Sequence, residues 1–92
     1  MRELVFHPAL KPWLNQAKKA DFENFLFLRQ YLNALRNCVI ESLEEYEPDP
    51  HDPGFGILTL EPELLNKPYC LEIYFHHDAN IITVLEIEPR TV

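Results

Sequence analysis

Four histidines, two cysteines and fifteen carboxylates are the residues of this 92-residue chain that could carry chemistry. His76-His77-Asp78 has the residue types of a metal cluster. Neighbouring residues of a strand point to opposite faces, however, and no third ligand is placed beside them by sequence. His51-Asp52 could join only through tertiary proximity, and Cys38 and Cys70 lack the close pairing of a zinc site. No metal and no cofactor are therefore expected. Cys38 with a distant histidine could form a nucleophile pair, but it falls in an apolar pattern and reads as a packing thiol. Both cysteines are read as buried and reduced. Glu44-Glu45 and Glu86/Glu88 could do acid–base work, the second pair from one strand face. A solvated surface is the better explanation of both. There is no glycine-rich phosphate loop, and the only serine is Ser42.

The acid is unevenly distributed. Residues 1–36 hold six Lys/Arg and three Asp/Glu, whereas residues 37–92 hold two and twelve. Affinity for nucleic acid rests on cations that displace counterions from phosphates, so direct binding to it is not expected. Glu41, Glu44, Glu45, Glu47, Asp49 and Asp52 follow one another with no intervening Lys or Arg. They predict a binding surface for a protein partner with a basic face. A helical reading of this stretch puts Glu41, Glu44 and Glu45 on one side, away from the apolar stripe.

The elements that must position these residues follow from periodicity and breakers. The length suits one domain over 1–92, which buries roughly 60–65% of its unfolded surface. Leu4-Val5-Phe6 is a short β-prone run that His7-Pro8 ends. Leu10, Trp13, Leu14 and Ala17 recur at helical spacing and predict a helix over 8–18. Asp21 is a plausible N-cap. From there Phe22, Phe25, Leu28, Leu32, Leu35, Val39, Leu43 and Tyr46 form one stripe, which predicts a long helix up to residue 46. Pro48, Pro50, Pro53 and Gly54 mark a rigid connection. Residues 55–60 could be a strand, and 61–65 a helical turn or a loop. Residues 69–75 and 81–87 alternate around a His-Asp-Ala-Asn turn and predict an antiparallel hairpin. In that reading Thr83, Leu85 and Ile87 lie opposite Glu86. No leader segment and no membrane span are expected, and the composition suits a cytoplasmic protein.

The expected fold class is therefore α+β: an N-terminal strand, a two-helix hairpin, then a small antiparallel sheet. Two stretches resemble the RelE/ParE superfamily of bacterial toxin–antitoxin toxins. Residues 4–14 are similar to its opening strand and a helix with Ala-Leu and a tryptophan. Residues 69–75 through 82–87 with Arg90 are similar to its closing hairpin and basic end. The resemblance implies a prokaryotic toxin, or a protein derived from one, that binds other proteins and is paired with an antitoxin. It also implies an alternative, a ribosome-dependent RNase in which only Lys67, Tyr74 and Arg90 could serve. In-line phosphoryl chemistry needs cations on the phosphate, and the strands here carry Glu where that family carries Lys and Arg. The charge pattern alone supports a further alternative: an acidic inhibitor or immunity-type protein that mimics phosphate and blocks a basic, nucleic-acid-handling target.

Overall fold

Arg2, next to the first strand, reaches across to the end of the second helix, and the chain path follows from that contact. The computed structural model describes residues 1–91. β1 (Glu3–Phe6) leads through a 3₁₀ turn, Pro8–Leu10, into α1 (Lys11–Ala20), and α2 (Phe22–Ala34) follows after a single residue. Asp21 is that residue, and its Oδ1 accepts from Asn24 N at 3.1 Å, capping α2. β2 (Tyr46–Pro48), β3 (Phe55–Leu60), a one-turn α3 (Pro62–Leu65), β4 (Tyr69–His77) and β5 (Ile81–Thr91) complete the chain. The α+β class and the order of strand, helix pair and sheet are those expected.

The five strands lie in the order β1-β5-β4-β3-β2. β1 runs parallel to β5, and the other neighbours are antiparallel. Leu28, Leu32 and Leu35 from the second helix and its end pack with Leu58, Leu60, Leu71, Ile73, Phe75, Ile82, Val84 and Ile87 from the strands. This core lies on one face of the sheet. Along β4 the buried residues alternate strictly, from Leu71 to His77. Cys70, Glu72, Tyr74 and His76 thus face the other way, where no helix lies over the sheet.

Three expectations need correction. The long helix ends at Ala34, with one 3₁₀ turn, Leu35–Asn37, beyond it. The Arg2 guanidinium donates to the carbonyl of Leu35, which also accepts from Cys38 N, and to that of Cys38 just past the 3₁₀ turn, and Arg36 Nε donates to Arg2 O at 2.7 Å. Val39 is consequently 66% exposed, while Tyr46 reaches the core as a strand residue. Glu41 lies in a separate 3₁₀ turn, so Glu41, Glu44 and Glu45 share no helical face. Second, β5 changes parity: Tyr74 pairs Glu86 but Phe75 pairs Val84, leaving Leu85 as the extra residue of a bulge. Ile82, Val84 and Ile87 are buried, and Thr83 and Leu85 are not. Third, Cys38 and Cys70 are free thiols but only half-buried, Cys38 beyond the helix and Cys70 on the uncovered face.

Residues 61–65 resolve as a helical turn, closed by Asn66 in the left-handed region at φ 55°. The hairpin turn is fixed by Asp78, whose Oδ1 accepts from Asn80 N at 2.7 Å and Ile81 N at 2.9 Å. Truncation separates the two halves of the apparent stripe. Leu35→Ala should lower stability by about 2–5 kcal/mol, as for a buried leucine. Val39→Ala should change it by less than about 0.5 kcal/mol. Denaturant melts of the two variants check this, and equal losses would restore the continuous helix.

Candidate functional site

The uncovered face carries a groove whose floor and rim differ in chemistry. Ile57 of β3 and Tyr74 of β4 are register partners, and Leu85, the extra residue of the β5 bulge, lines the same groove. With Phe55 they make an apolar floor. Glu47, Pro48, Asp49 and Pro50 form the opposite wall, and the cavity holds about 370 Å³. The prolines limit backbone freedom on that wall. Asp49 Oδ1 accepts from His51 N at 2.8 Å, which holds the turn that follows β2. Such a groove accepts an apolar side chain and favours a cation at its rim. Opposite charge on an incoming segment would be drawn to Glu47 and Asp49.

Arg90 stands on the same face and is already committed. Its guanidinium pairs with Glu72, approaches Glu88 at 3.6 Å, and donates to Tyr74 Oη at 3.4 Å. Tyr74 and Arg90 are thus brought together, as a nuclease reading would require, but two carboxylates occupy the cation. Lys67 is not with them. Its Nζ lies 2.6 Å from Asp21 Oδ2, at the junction of the two long helices and the loop before β4. That hydrogen bond is the first cause that holds the Asp21 carboxyl below its usual range.

The six acidic residues predicted as a partner surface are all exposed, but the fold does not gather them on one element. Glu41 lies in a 3₁₀ turn and Glu44 and Glu45 in the turn before β2. Glu47 lies in β2, and Asp49 and Asp52 in the loop after it. Asp52 Oδ1 accepts from Gly54 N at 3.0 Å, so part of its role is to shape that loop. Glu47, Asp49 and the floor of the groove are the ones that share a site.

Sequence reasoning missed a polar contact inside the core. His77 is the one buried polar side chain among the described residues, at 7% exposure. Its Nε2 lies 3.2 Å from Tyr46 Oη and 3.8 Å from Glu41 Oε1. The Tyr46 ring covers Gly56 so closely that it leaves no room for a Cβ there. Burial first pushes the His77 pKa below its ordinary 6.5, with Glu41 opposing, and burial pushes Tyr46 above 10. His76, its neighbour, is on the groove face, edge-on to Phe55 with ring centroids 4.7 Å apart. The alternation signalled opposite faces, but only the fold shows Tyr46 arriving beside His77 from β2.

Among the described residues, no three His, Cys, Asp or Glu side chains meet in a group that could hold a metal ion, and no helix is long and apolar enough to cross a membrane. No protein-family model matches the chain, and no curated protein or solved structure matches it.

The buried histidine makes stability depend on pH. A pKa depressed on folding means that the unfolded chain takes up the proton first. The contribution of neutral His77 is therefore complete above about pH 6.5 and is lost as pH falls below it. His77→Gln should flatten the melting-temperature profile between about pH 7 and pH 5. Thermal melts of both proteins across that range check it; parallel profiles would remove His77 as the cause.

Proposed function

We propose that this protein acts by protein–protein binding, as a RelE/ParE-like toxin or a protein derived from one, paired with an antitoxin whose binding segment is basic. The groove on the uncovered face carries this reading: an apolar floor of Phe55, Ile57, Tyr74 and Leu85 beneath Glu47 and Asp49. An extended or helical segment with a lysine or arginine beside an aliphatic residue is the occupant whose chemistry matches. Its apolar side chain would rest on Ile57 and Leu85, and its cation on the rim. The order of elements supports the family part of the reading, as do the residues of the opening strand and closing hairpin quoted above.

The nuclease alternative loses support from the same face. Phosphate binding and transition-state stabilisation both need an available cation. Arg90 is shared between Glu72 and Glu88, and Lys67 is paired with Asp21. A phosphate entering here would meet carboxylates first. The acidic-inhibitor alternative draws on one specific feature, the row of carboxylates from Glu41 to Asp52 along the β2 side of the sheet. It differs from the main reading in using charge alone, without the apolar floor.

A synthetic peptide of alternating lysine and leucine serves as a probe. Titrated into the ¹⁵N-labelled protein, it should shift the amides of Ile57, Tyr74 and Leu85. Glu47→Lys with Asp49→Lys should weaken binding by about tenfold at low salt, because both rim charges reverse. Ile57→Ala should weaken it several-fold at any salt, since it removes floor rather than charge. Loss with the charge reversal but none with Ile57→Ala would favour the inhibitor reading. A short single-stranded RNA that binds tighter than the peptide would favour the nuclease.

A further inference from the structure

The two edges of the sheet are finished in opposite ways. At the two ends of β2, Asp49 N donates inward to Phe55 O and Glu45 O accepts from Thr59 N, so the outward groups belong to Tyr46 and Pro48. Tyr46 N is taken by Leu43 O at 3.2 Å, and Pro48 has no N–H. This edge offers no donor to another strand. β1 is different. Glu3 N donates to Asn80 O and His7 N to Val84 O, each at 2.8 Å. In a parallel ladder alternate residues bond the neighbour. Glu3, Val5 and His7 thus bond β5, while Leu4 and Phe6 point their backbone groups outward. Arg2, one step earlier, has its outward N–H and C=O engaged by Arg36. Among the described residues, the N–H and C=O of Leu4 and Phe6 have no partner.

We propose that β1 pairs with β1 of a second copy of this chain, antiparallel across a two-fold axis at Val5. That register places Leu4 opposite Phe6 of the partner subunit and Phe6 opposite Leu4 of the partner subunit. The two N–H and two C=O groups on each copy then satisfy one another, with none left over. The side chains agree with this register. Val5, 37% exposed, meets its own copy on the axis. Glu3 falls opposite His7 of the partner subunit on the same face, where pairs not joined by hydrogen bonds bring side chains closest. His7 Nδ1 accepts from Ala9 N at 3.1 Å, so the neutral ring carries its proton on Nε2, free to donate to that carboxylate.

The −7 chain repels its copies as a whole, but pairing at β1 keeps the carboxylates of residues 41–52, on the β2 side, far apart, and the +3 excess of residues 1–36 is the smaller repulsion. Pairing through β1 makes one ten-stranded sheet, with the two β2 strands at its ends. At roughly 4.8 Å per strand they lie about 43 Å apart, several Debye lengths at physiological salt. The helical layer gains as well. Arg29 sits over the Phe6 ring, 4.8 Å from its centroid, so the α2 stripe through Arg29 runs along this edge. Leu26 and Phe22 continue that stripe and are 41% and 51% exposed.

A patch of one short strand and one helix edge belongs to the weak class of interface, so the test spans concentration. Sedimentation equilibrium of the whole chain should show the mass rising from 10.9 kDa toward twice that value between low micromolar and about 1 mM. Over the same range, amide exchange at Leu4 and Phe6 should slow, while that at Val5, bonded to β5 in either state, should not change. Val5→Lys sets two cations face to face on the axis and should weaken association by at least about tenfold. A constant monomer mass at 1 mM overturns the proposal. So does a dimer in which the Leu4 and Phe6 amides exchange as in the monomer, or one that Val5→Lys leaves intact. Should circular dichroism show that Val5→Lys fails to fold, the exchange of the unaltered protein decides alone.

Discussion

The grip of Arg2 on the carbonyls of Leu35 and Cys38 is the interaction on which the chain path depends. A helix end exposes carbonyls that must find donors, and a guanidinium supplies several in fixed geometry. Here it binds the N-terminal segment to the end of α2. It also fixes where the chain must go next. Residue 38 lies beside β1, at one edge of the sheet, and Tyr46 enters β2 at the other. Four strand spacings separate those edges, about 19 Å. Eight helical residues rise only about 12 Å, whereas an extended chain of that length spans up to about 26 Å. The segment from Val39 to Glu45 therefore has to unwind, and its acidic residues are spread along the crossing rather than stacked on a helix.

The crossing also seals the core. Ile40 is fully buried and Leu43 packs against the cluster, so the link closes the end of the helical layer while its carboxylates stay outside. Glu41 is near enough to His77 to oppose the effect of burial on its pKa. A 92-residue chain has material for one helical layer, and it lies on one side. The other face is left to strands alone. That face is covered neither by helices nor by charge of a single sign. Its middle is apolar, its β5 end holds the Arg90 network, and its β2 side is acidic.

Much of this was legible in the sequence because local signals and tertiary packing agree. Asp21 caps α2, the strands after Phe55 alternate, and the His-Asp-Ala-Asn turn folds as the type of its residues requires. The failures share one cause. The stripe from Phe22 to Tyr46 has helical spacing throughout, and spacing cannot register that Arg2 would claim the carbonyls of Leu35 and Cys38. The parity of β5 departs from simple alternation for the same reason. A bulge at Leu85 reverses the faces midway, and it is visible only in the pairing with Tyr74 and Phe75. Of the candidate site, Glu47, Asp49 and Tyr74 were named from type and position. Phe55, Ile57 and Leu85 were not, since apolar residues on strands give no sign of which face remains open.

That bulge also decides which side chains of β5 stand on this face. Without it, Leu85 would follow the alternation of Ile82 and Val84 only as their outward neighbour, and Glu86 and Glu88 would turn inward with the core residues. With it, Ile87 returns to the core, and Glu86 and Glu88 stand on the open face beside Glu72. Glu72 and Glu88 are cross-strand partners, two like charges directly opposite, which would repel if left alone. Arg90 lies between them and relieves that repulsion. To bind a phosphate, Arg90 would have to leave both carboxylates facing each other beside a third anion. The cation on this face is thus retained by the sheet itself, and what remains available to a ligand is the apolar floor and the acid at its rim.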